Sequence, residues 1–280
     1  MSCDLHSHTN ASDGEKTPEQ VVCRARELGL SAVAITDHDT VAAVPAALRE
    51  GLRIGQKVIP GVELSTREEE RTVHLVGLYI DPSNPGLAER LAYLRETRRE
   101  RNRKILERLA QVGIRLDPGR IRQIGEASVT RAHIAGMLVE QGYGSDVQEA
   151  MGRYLLPGGP GYIRRESLAP QECIAAIHAA GGLAFVAHIN QIDRRSDENC
   201  LNIARKMLAL GADGIETRHG EYRDGWQEKA EKLAKETGCL CAGGSDYHGA
   251  FKRGLELGTG RGDLSVPDAF WKEMEKKLGH

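Results

Sequence analysis

Short apolar runs that each end in a histidine or a carboxylate recur along this chain, and they restrict its fold more than any other feature. Ala32-Val-Ala-Ile35 leads through Thr36 into Asp37-His38-Asp39, and Val58-Ile-Pro-Gly-Val leads into Glu63. Leu183-Ala-Phe-Val-Ala leads into His188, and Cys239-Leu-Cys-Ala-Gly-Gly-Ser into Asp246-Tyr-His248. Apolar runs of this length, bounded by turn residues, read as buried strands. Helical patterns separate them. Thr17-Pro18-Glu19-Gln20 opens one with a capping box, and Gly29 stops it. A second is expected from about Val41 to Glu50, before Gly51. Others run through Ile174 and Ile177 to Gly181, over 199–210 and 225–236, and from about Asp268 to Lys277. Strand and helix alternating through short connections predict an α/β layer or barrel, and a barrel gathers the ends of its strands at one rim.

The opening stretch fits that rim. In Asp4-Leu-His6-Ser-His8, side chains at i and i+2 of an extended segment share a face, and Asp13 follows in a polar turn. Taken alone, a His-x-His pair is ordinary. His74 begins an apolar run where the others end theirs, so 58–66 and 72–80 are expected to form a hairpin about Arg67–Arg71, which brings His74 back beside Glu63. Asp213-Gly-Ile-Glu216 reads as a short strand ending in a carboxylate.

Between Asp81 and Ser167 nothing strand-like stands out, and Gly86 to Gly113 is one long helical pattern with Leu87, Leu91, Leu94, Ile105 and Leu109 on a stripe. The expected organisation is therefore a barrel in two parts, 1–81 and 168–280, with a helical insertion at 82–167. Arg98, Arg101 and Asn102 fall near the stripe. The simpler expectation for them is a solvated face with snorkelling side chains; the sharper one is a turn that meets an anionic ligand.

A net charge of −2 and 4% aromatic residues give no basic or stacking footprint for a long nucleic acid. The six cysteines show neither a disulfide framework nor a zinc-ribbon spacing, and no run approaches a membrane span. A reduced, cytoplasmic protein is expected, with no membrane partner.

Together the segments offer His6, His8, Asp13, His38, Glu63, His74, His188, Asp246 and His248 as ligands. This all-nitrogen and oxygen set favours divalent Mn, Fe or Zn over a thiolate site. The motifs Asp4-Leu-His6-Ser-His8, Thr36-Asp37-His38, Pro60-Gly-Val-Glu63, His74-Leu-Val-Gly, Ala187-His188 and Gly244-Ser-Asp246-Tyr-His248 resemble those of the polymerase and histidinol phosphatase (PHP) superfamily of metal-dependent phosphoesterases. With Thr130-Arg131-Ala-His133, the likeness is to its nucleoside 3′,5′-bisphosphate phosphatases and a related 5′-to-3′ exoribonuclease.

The resemblance implies a distorted (β/α)7 TIM-like barrel and about two to three divalent ions, Mn2+, Fe2+ or Zn2+. His6, His8, Glu63 and Asp246 would hold one; Glu63 would bridge to a second on His74 and His188; Asp13, His38 and His248 would hold a third. A metal-bound hydroxide would attack the phosphate of a small, nucleotide-like substrate. Arg131 and His133 would hold phosphate, and Glu216 would support the ligands from behind; on the sharper reading of the long helix above, Arg101 and Asn102 would be further substrate contacts. The general acid is not identified. Ile189-Asn190 replace the proline that usually follows the fourth-motif histidine, which alters that loop. The alternatives are an exonuclease on short single-stranded RNA or DNA, a histidinol-phosphate phosphatase, or a non-catalytic metal-binding module, the last disfavoured because every ligand is present.

Overall fold

The computed structural model describes residues 2–119, 129–164 and 166–279. Strand β1 (Ser2–Cys3) pairs with β8 (Val266–Pro267), and between them in sequence lies a six-stranded sheet. Its order is β2 (Ala32–Ile35), β3 (Lys57–Glu68), β4 (Arg71–Leu78), β5 (Leu183–Val186), β6 (Gly214–His219) and β7 (Leu240–Gly244). β4 runs antiparallel to both neighbours, and the remaining pairs are parallel. The hairpin expected about Arg67–Arg71 is therefore present, with Ser65 opposite His74 and Glu63 opposite Val76.

The segment after β1 ties the first and last strands of this sheet together. Asp4 exchanges backbone hydrogen bonds with Ala32 and Ala34 on the β2 side. Leu5 N–H donates to Gly243 C=O, and Asp246 N–H to His6 C=O, on the β7 side. A side chain at position 244 would obstruct this contact, since a Cβ there would lie 2.4 Å from the His6 nitrogen. Glycine is what lets the His-x-His segment lie against β7.

Helices α1 (Pro18–Glu27) and α2 (Val44–Ile54) pack behind β2, with Val21, Val22, Val44 and Ala47 buried against Val33 and Ile35. The capping box of α1 forms as expected: Thr17 accepts from the Gln20 N–H, and Gln20 accepts from the Thr17 N–H. α2 differs from expectation. It begins later, passes through Gly51 and stops where Gly55 takes a left-handed conformation. The hydrophobic pattern marked the helix, but position 55 rather than 51 carries the positive φ that ends it.

Helix α3 (Pro85–Gln111) joins two cores. Leu87, Leu91 and Leu94 pack with β3, β4 and α6 (Pro170–Ala179). Ile105 and Leu109 pack with Ile134 and Leu138 of α4 (Arg131–Glu140) and with Leu155, in the turn that follows α5 (Val147–Ala150). The middle of α3 thus lies at the seam between sheet and helices. Residues 120–128 and 165, within the stretch read as an insertion, lie outside the described residues. Helices α7 (Asp197–Ala209), α8 (Trp226–Thr237) and α9 (Ala269–Leu278) complete the alternation. Among the described residues no helix is long and apolar enough to cross a membrane.

The close approach at Gly244 predicts that Gly244→Ala destabilises the fold by about 1–3 kcal/mol, as overpacking does. Urea unfolding checks this: the midpoint should fall, and an unchanged midpoint would mean that the opening segment can shift without cost.

Candidate metal centre

The C-terminal ends of β2, β5, β6 and β7 and the opening segment converge on one carboxylate, Glu63, which lies in the middle of β3 and not at its end because the strand runs on to Glu68; His74 of β4 comes beside it. Glu63 Oε1 lies 2.8 Å from His74 Nδ1 and 2.9 Å from His188 Nε2. Its Oε2 lies 2.7 Å from His38 Nδ1, 3.4 Å from His8 Nε2 and 3.5 Å from His6 Nε2. Beside it, Asp246 Oδ1 is 3.3 Å from both His8 Nε2 and His248 Nδ1. Asp13 faces His248 Nε2 at 3.3 Å and His38 Nε2 at 3.8 Å. All nine residues that the sequence offers as ligands therefore meet in one cluster.

Local structure explains how each arrives. His6 and His8 alternate along the extended opening segment, whose backbone is held by Asp4 and Asp37. Asp4 accepts from the N–H groups of His6, Ser245 and Gly258; Asp37 accepts from Thr9 and Ser12. The hairpin register puts His74 diagonally across from Glu63 on the same sheet face. Asp39, His188 and Asp246 all have positive φ at strand ends, a conformation non-glycine residues adopt at a cost and that clusters at functional sites. Glu216 supports the cluster from behind: its Oε1 lies 2.8 Å from His6 Nδ1, and its Oε2 accepts the His188 backbone N–H.

Burial should hold these carboxylates protonated, yet the surrounding imidazoles win. Burial opposes ionisation of Glu63, but His38, His74 and His6 outweigh it and keep the carboxyl well below the usual range. For Asp13, His38 and His248 do the same against burial. Among the imidazoles, burial and the neighbouring His248 push His8 down to about 3. Burial takes His74 down to about 4, although Glu63 pulls the other way. Burial also opposes protonation of His38, but Glu63 and Asp13 carry it up to about 9.

The donor set fits divalent metal ions. His6 Nε2, His8 Nε2 and Asp13 Oδ1 are buried without a well-aligned hydrogen bond, and His38 Nδ1 and Glu63 Oε2, though 2.7 Å apart, are not aligned for one either, an expensive arrangement unless something else meets them. Several of their separations, such as 3.3 Å and 3.5 Å, suit donors about 2.1 Å from a shared ion, which sit roughly 3.4 Å apart. Among the described residues four groups bring their donor atoms within 4.8 Å of one another: His6–His8–Glu63, His38–Glu63–His74, His8–Asp13–His38–His248 and His6–Glu216–His219.

A cleft opens above the cluster, lined by Asp13, His38, His74 and His248 and by the cations Arg67, Arg98, Arg101, Arg131, Arg164 and Lys252. The solvated face expected on α3 is not what forms. Arg98, Arg101 and Asn102 are buried: Arg98 is ion-paired with Asp39, and Asn102 accepts from the Arg101 guanidinium while donating to the Val129 carbonyl. The tertiary seam turns this part of the helix inward, which helix periodicity alone does not reveal. Arg131 lines the cleft at the start of α4. His133 is buried beneath it, its Nδ1 accepting the Thr130 N–H, and is not among the described residues that line the cleft.

Two further residues escaped the sequence reading. His219 lies 3.6 Å from Asp246 Oδ2, and Lys252 is ion-paired with that same oxygen. β6 is longer than the stretch ending at Glu216, and a bulge between Glu216 and Arg218 breaks the alternation that would have pointed to His219.

The chain is similar to known proteins along its length. A family model described as the PHP domain matches residues 4–116. The chain is 33% identical over 280 residues to the 3′,5′-nucleoside bisphosphate phosphatase of Chromobacterium violaceum, covering 98% of this chain and 97% of that one. It is 37% identical over 248 residues to the 5′-3′ exoribonuclease Rnm of Salmonella typhimurium, covering 88% and 84%. A solved structure from Bifidobacterium adolescentis, assigned as a metal-dependent phosphoesterase, superposes with a TM-score of 0.87 at 32% identity, covering 98% and 95%.

Metal should stabilise this fold by mass action. Mn2+ at about 100 times its dissociation constant adds ~2.7 kcal/mol, which raises the melting temperature of EDTA-stripped protein on the order of 5–10 °C. Differential scanning fluorimetry reads this, and in Glu63→Gln most of the rise should vanish. The buried Arg98–Asp39 pair gives a second expectation. Arg98→Met removes the cation paired with the buried Asp39 carboxylate and should cost about 3–5 kcal/mol, whereas Arg103→Met, on the exposed face of α3, should cost about 0–1 kcal/mol. Equal losses in chemical denaturation would contradict the burial of this turn.

Proposed function

The chain belongs to the PHP domain family of metal-dependent phosphoesterases, and we propose that it hydrolyses a phosphate monoester of a nucleotide, with a nucleoside 3′,5′-bisphosphate as the favoured substrate. The observation that carries this is the pairing of two opposite features. A carboxylate–imidazole cluster suited to cations forms the floor of the cleft, and arginine and lysine side chains form its walls. A nucleoside with phosphates on both the 3′ and the 5′ carbon of its ribose has charge for both.

His6, His8, Glu63 and Asp246 would hold one ion, Glu63 with His74 and His188 a second, and Asp13, His38 and His248 a third, in a closed seven-stranded version of the barrel. Divalent ions so held supply neutralisation of the phosphoryl oxygens and an acidified water for attack. The chain's own residues do the rest. Glu216 fixes the ring of His6, and Asp4 and Asp37 fix the backbone that carries His6 and His8. The helical stretch 82–167, as an insertion, brings Arg101 and Arg131 over the cluster. Arg131 presents its guanidinium fork to the phosphate that is not cleaved, and His133, which is not among the described residues that line the cleft, caps the start of α4 through the Thr130 N–H and so steadies Arg131 instead of touching the phosphate itself. Asn102 holds the Arg101 guanidinium in place. Such contacts, remote from the reacting phosphorus, orient the ester over the cluster.

A second reading, cleavage of short RNA or DNA from the 5′ end, draws on one feature. A groove lined by Tyr93, Thr97 and Lys104 continues from the cleft past Arg101 and Arg164. Glu96, Glu100 and Glu166 line it too, and their charge opposes a long polyanion. The first reading is therefore the one we adopt.

Phosphate release by the Mn2+-loaded protein from 3′-phosphoadenosine 5′-phosphate, AMP and a short 5′-phosphorylated RNA decides between them. Fast release from the bisphosphate, lost in Asp246→Asn, supports the phosphatase; mononucleotides liberated mainly from RNA would replace it with the exonuclease. Arg131→Ala should raise KM for the bisphosphate about 10–100-fold, the worth of a charged hydrogen bond of ~1.5–3 kcal/mol, and a normal KM would remove Arg131 from the phosphate site.

A further inference from the structure

His219 is buried at the end of β6, and nothing in the mechanism above uses it. It has two possible roles. His6, Glu216 and His219 each place a donor atom within 4.8 Å of the others, which would suit one more ion. Alternatively, His219 serves Asp246, whose Oδ2 is 3.6 Å from its Nε2.

The tautomer separates the two. The backbone N–H of Glu221 donates to His219 Nδ1 at 3.1 Å, so that nitrogen carries no proton. A neutral imidazole then has its proton on Nε2. A ligand nitrogen must be bare, and a ring bare at both nitrogens would be an imidazolate anion. Position 216 is also committed elsewhere, since its Oε1 meets His6 Nδ1 at 2.8 Å.

We propose that His219 is a positioning residue and not a ligand: its Nε2–H holds Oδ2 of Asp246 and so aims Oδ1 at the ion cluster. The backbone is built for this. Gly220 N–H donates to Gly244 C=O, and a Cβ at position 220 would lie 2.6 Å from the Ser245 carbonyl oxygen. Only glycine allows β6 to end close enough to β7 to set His219 abreast of Asp246. Nε2 is buried with no hydrogen bond as it stands, Asp246 Oδ2 at 3.6 Å being the acceptor it faces, and contacts in unloaded sites are often long and shorten on loading. Lys252, ion-paired with the same Oδ2, leaves Oδ1 as the oxygen that faces His8 and His248.

This inference rests on the metal-site reading, so its test has one arm that needs no metal. In the EDTA-treated protein, 15N NMR of labelled histidines, with the His219 signals assigned by their loss in His219→Gln, should show the Nε2–H tautomer. An Nδ1–H tautomer would overturn the proposal. In Mn2+ titration calorimetry, His219→Ala should bind the same number of ions, with one affinity weakened about 10–100-fold. His219→Gln, whose amide N–H can replace Nε2–H, should stay within a few-fold of the unaltered chain. Loss of a whole ion in His219→Gln, or unaltered affinity in His219→Ala, would overturn it. If His219→Ala does not fold, the tautomer and His219→Gln decide the matter. An unaltered chain that binds no Mn2+ yet shows the Nε2–H tautomer would sink the metal reading and leave the His219–Asp246 contact standing.

Discussion

Five imidazoles face the two oxygens of Glu63, and the rest of the molecule depends on keeping them there. A single carboxylate cannot satisfy five nitrogens by hydrogen bonding; His38, His74 and His188 come within 3 Å, while His6 and His8 stop at 3.4–3.5 Å. Removing so many polar groups from water without partners is expensive. The arrangement becomes favourable when cations share the space between the donors, so the fold holds a preorganised demand for metal.

That demand determines where the polar scaffold is placed. Asp4, Asp37 and Glu216 are buried, and each is occupied with backbone or ring N–H groups of the ligand-bearing segments. They fix where the histidines point. Cross-strand geometry does the same for His74, and positive φ at His188 and Asp246 turns those side chains in from the strand ends. Arg98, locked to Asp39, fastens the middle of α3 over this rim. The helix that contributes apolar residues to both cores is thereby the one that brings Arg101 to the cleft.

The residues of the cluster were legible because they are of few chemical types and mostly sit at the ends of apolar runs, a pattern with a physical reason in a barrel rim. The hairpin was legible because a charged turn separates two strand-like runs. Other features are properties of tertiary contact and leave no periodic trace. Arg98, Arg101 and Asn102 look like a solvated face until the seam between the sheet and the helices packed on α3 encloses them. His219 is hidden by a bulge, and Lys252 lies in a short turn after Asp246. A net charge of −2 likewise averages away a cleft whose walls are strongly cationic. Overall charge describes solubility and long-range steering; a site for a small anion is set by a handful of side chains.

Glu63 would bridge ions held by the surrounding imidazoles, as proposed above. Diffraction from Mn2+-soaked crystals, with anomalous maps collected at the manganese edge, tests it most directly. Separate anomalous peaks are expected within bonding distance of both Glu63 oxygens, one on the His6–His8–Asp246 side and one on the His74–His188 side. Peaks absent from both oxygens, or a single ion that touches neither, would contradict it.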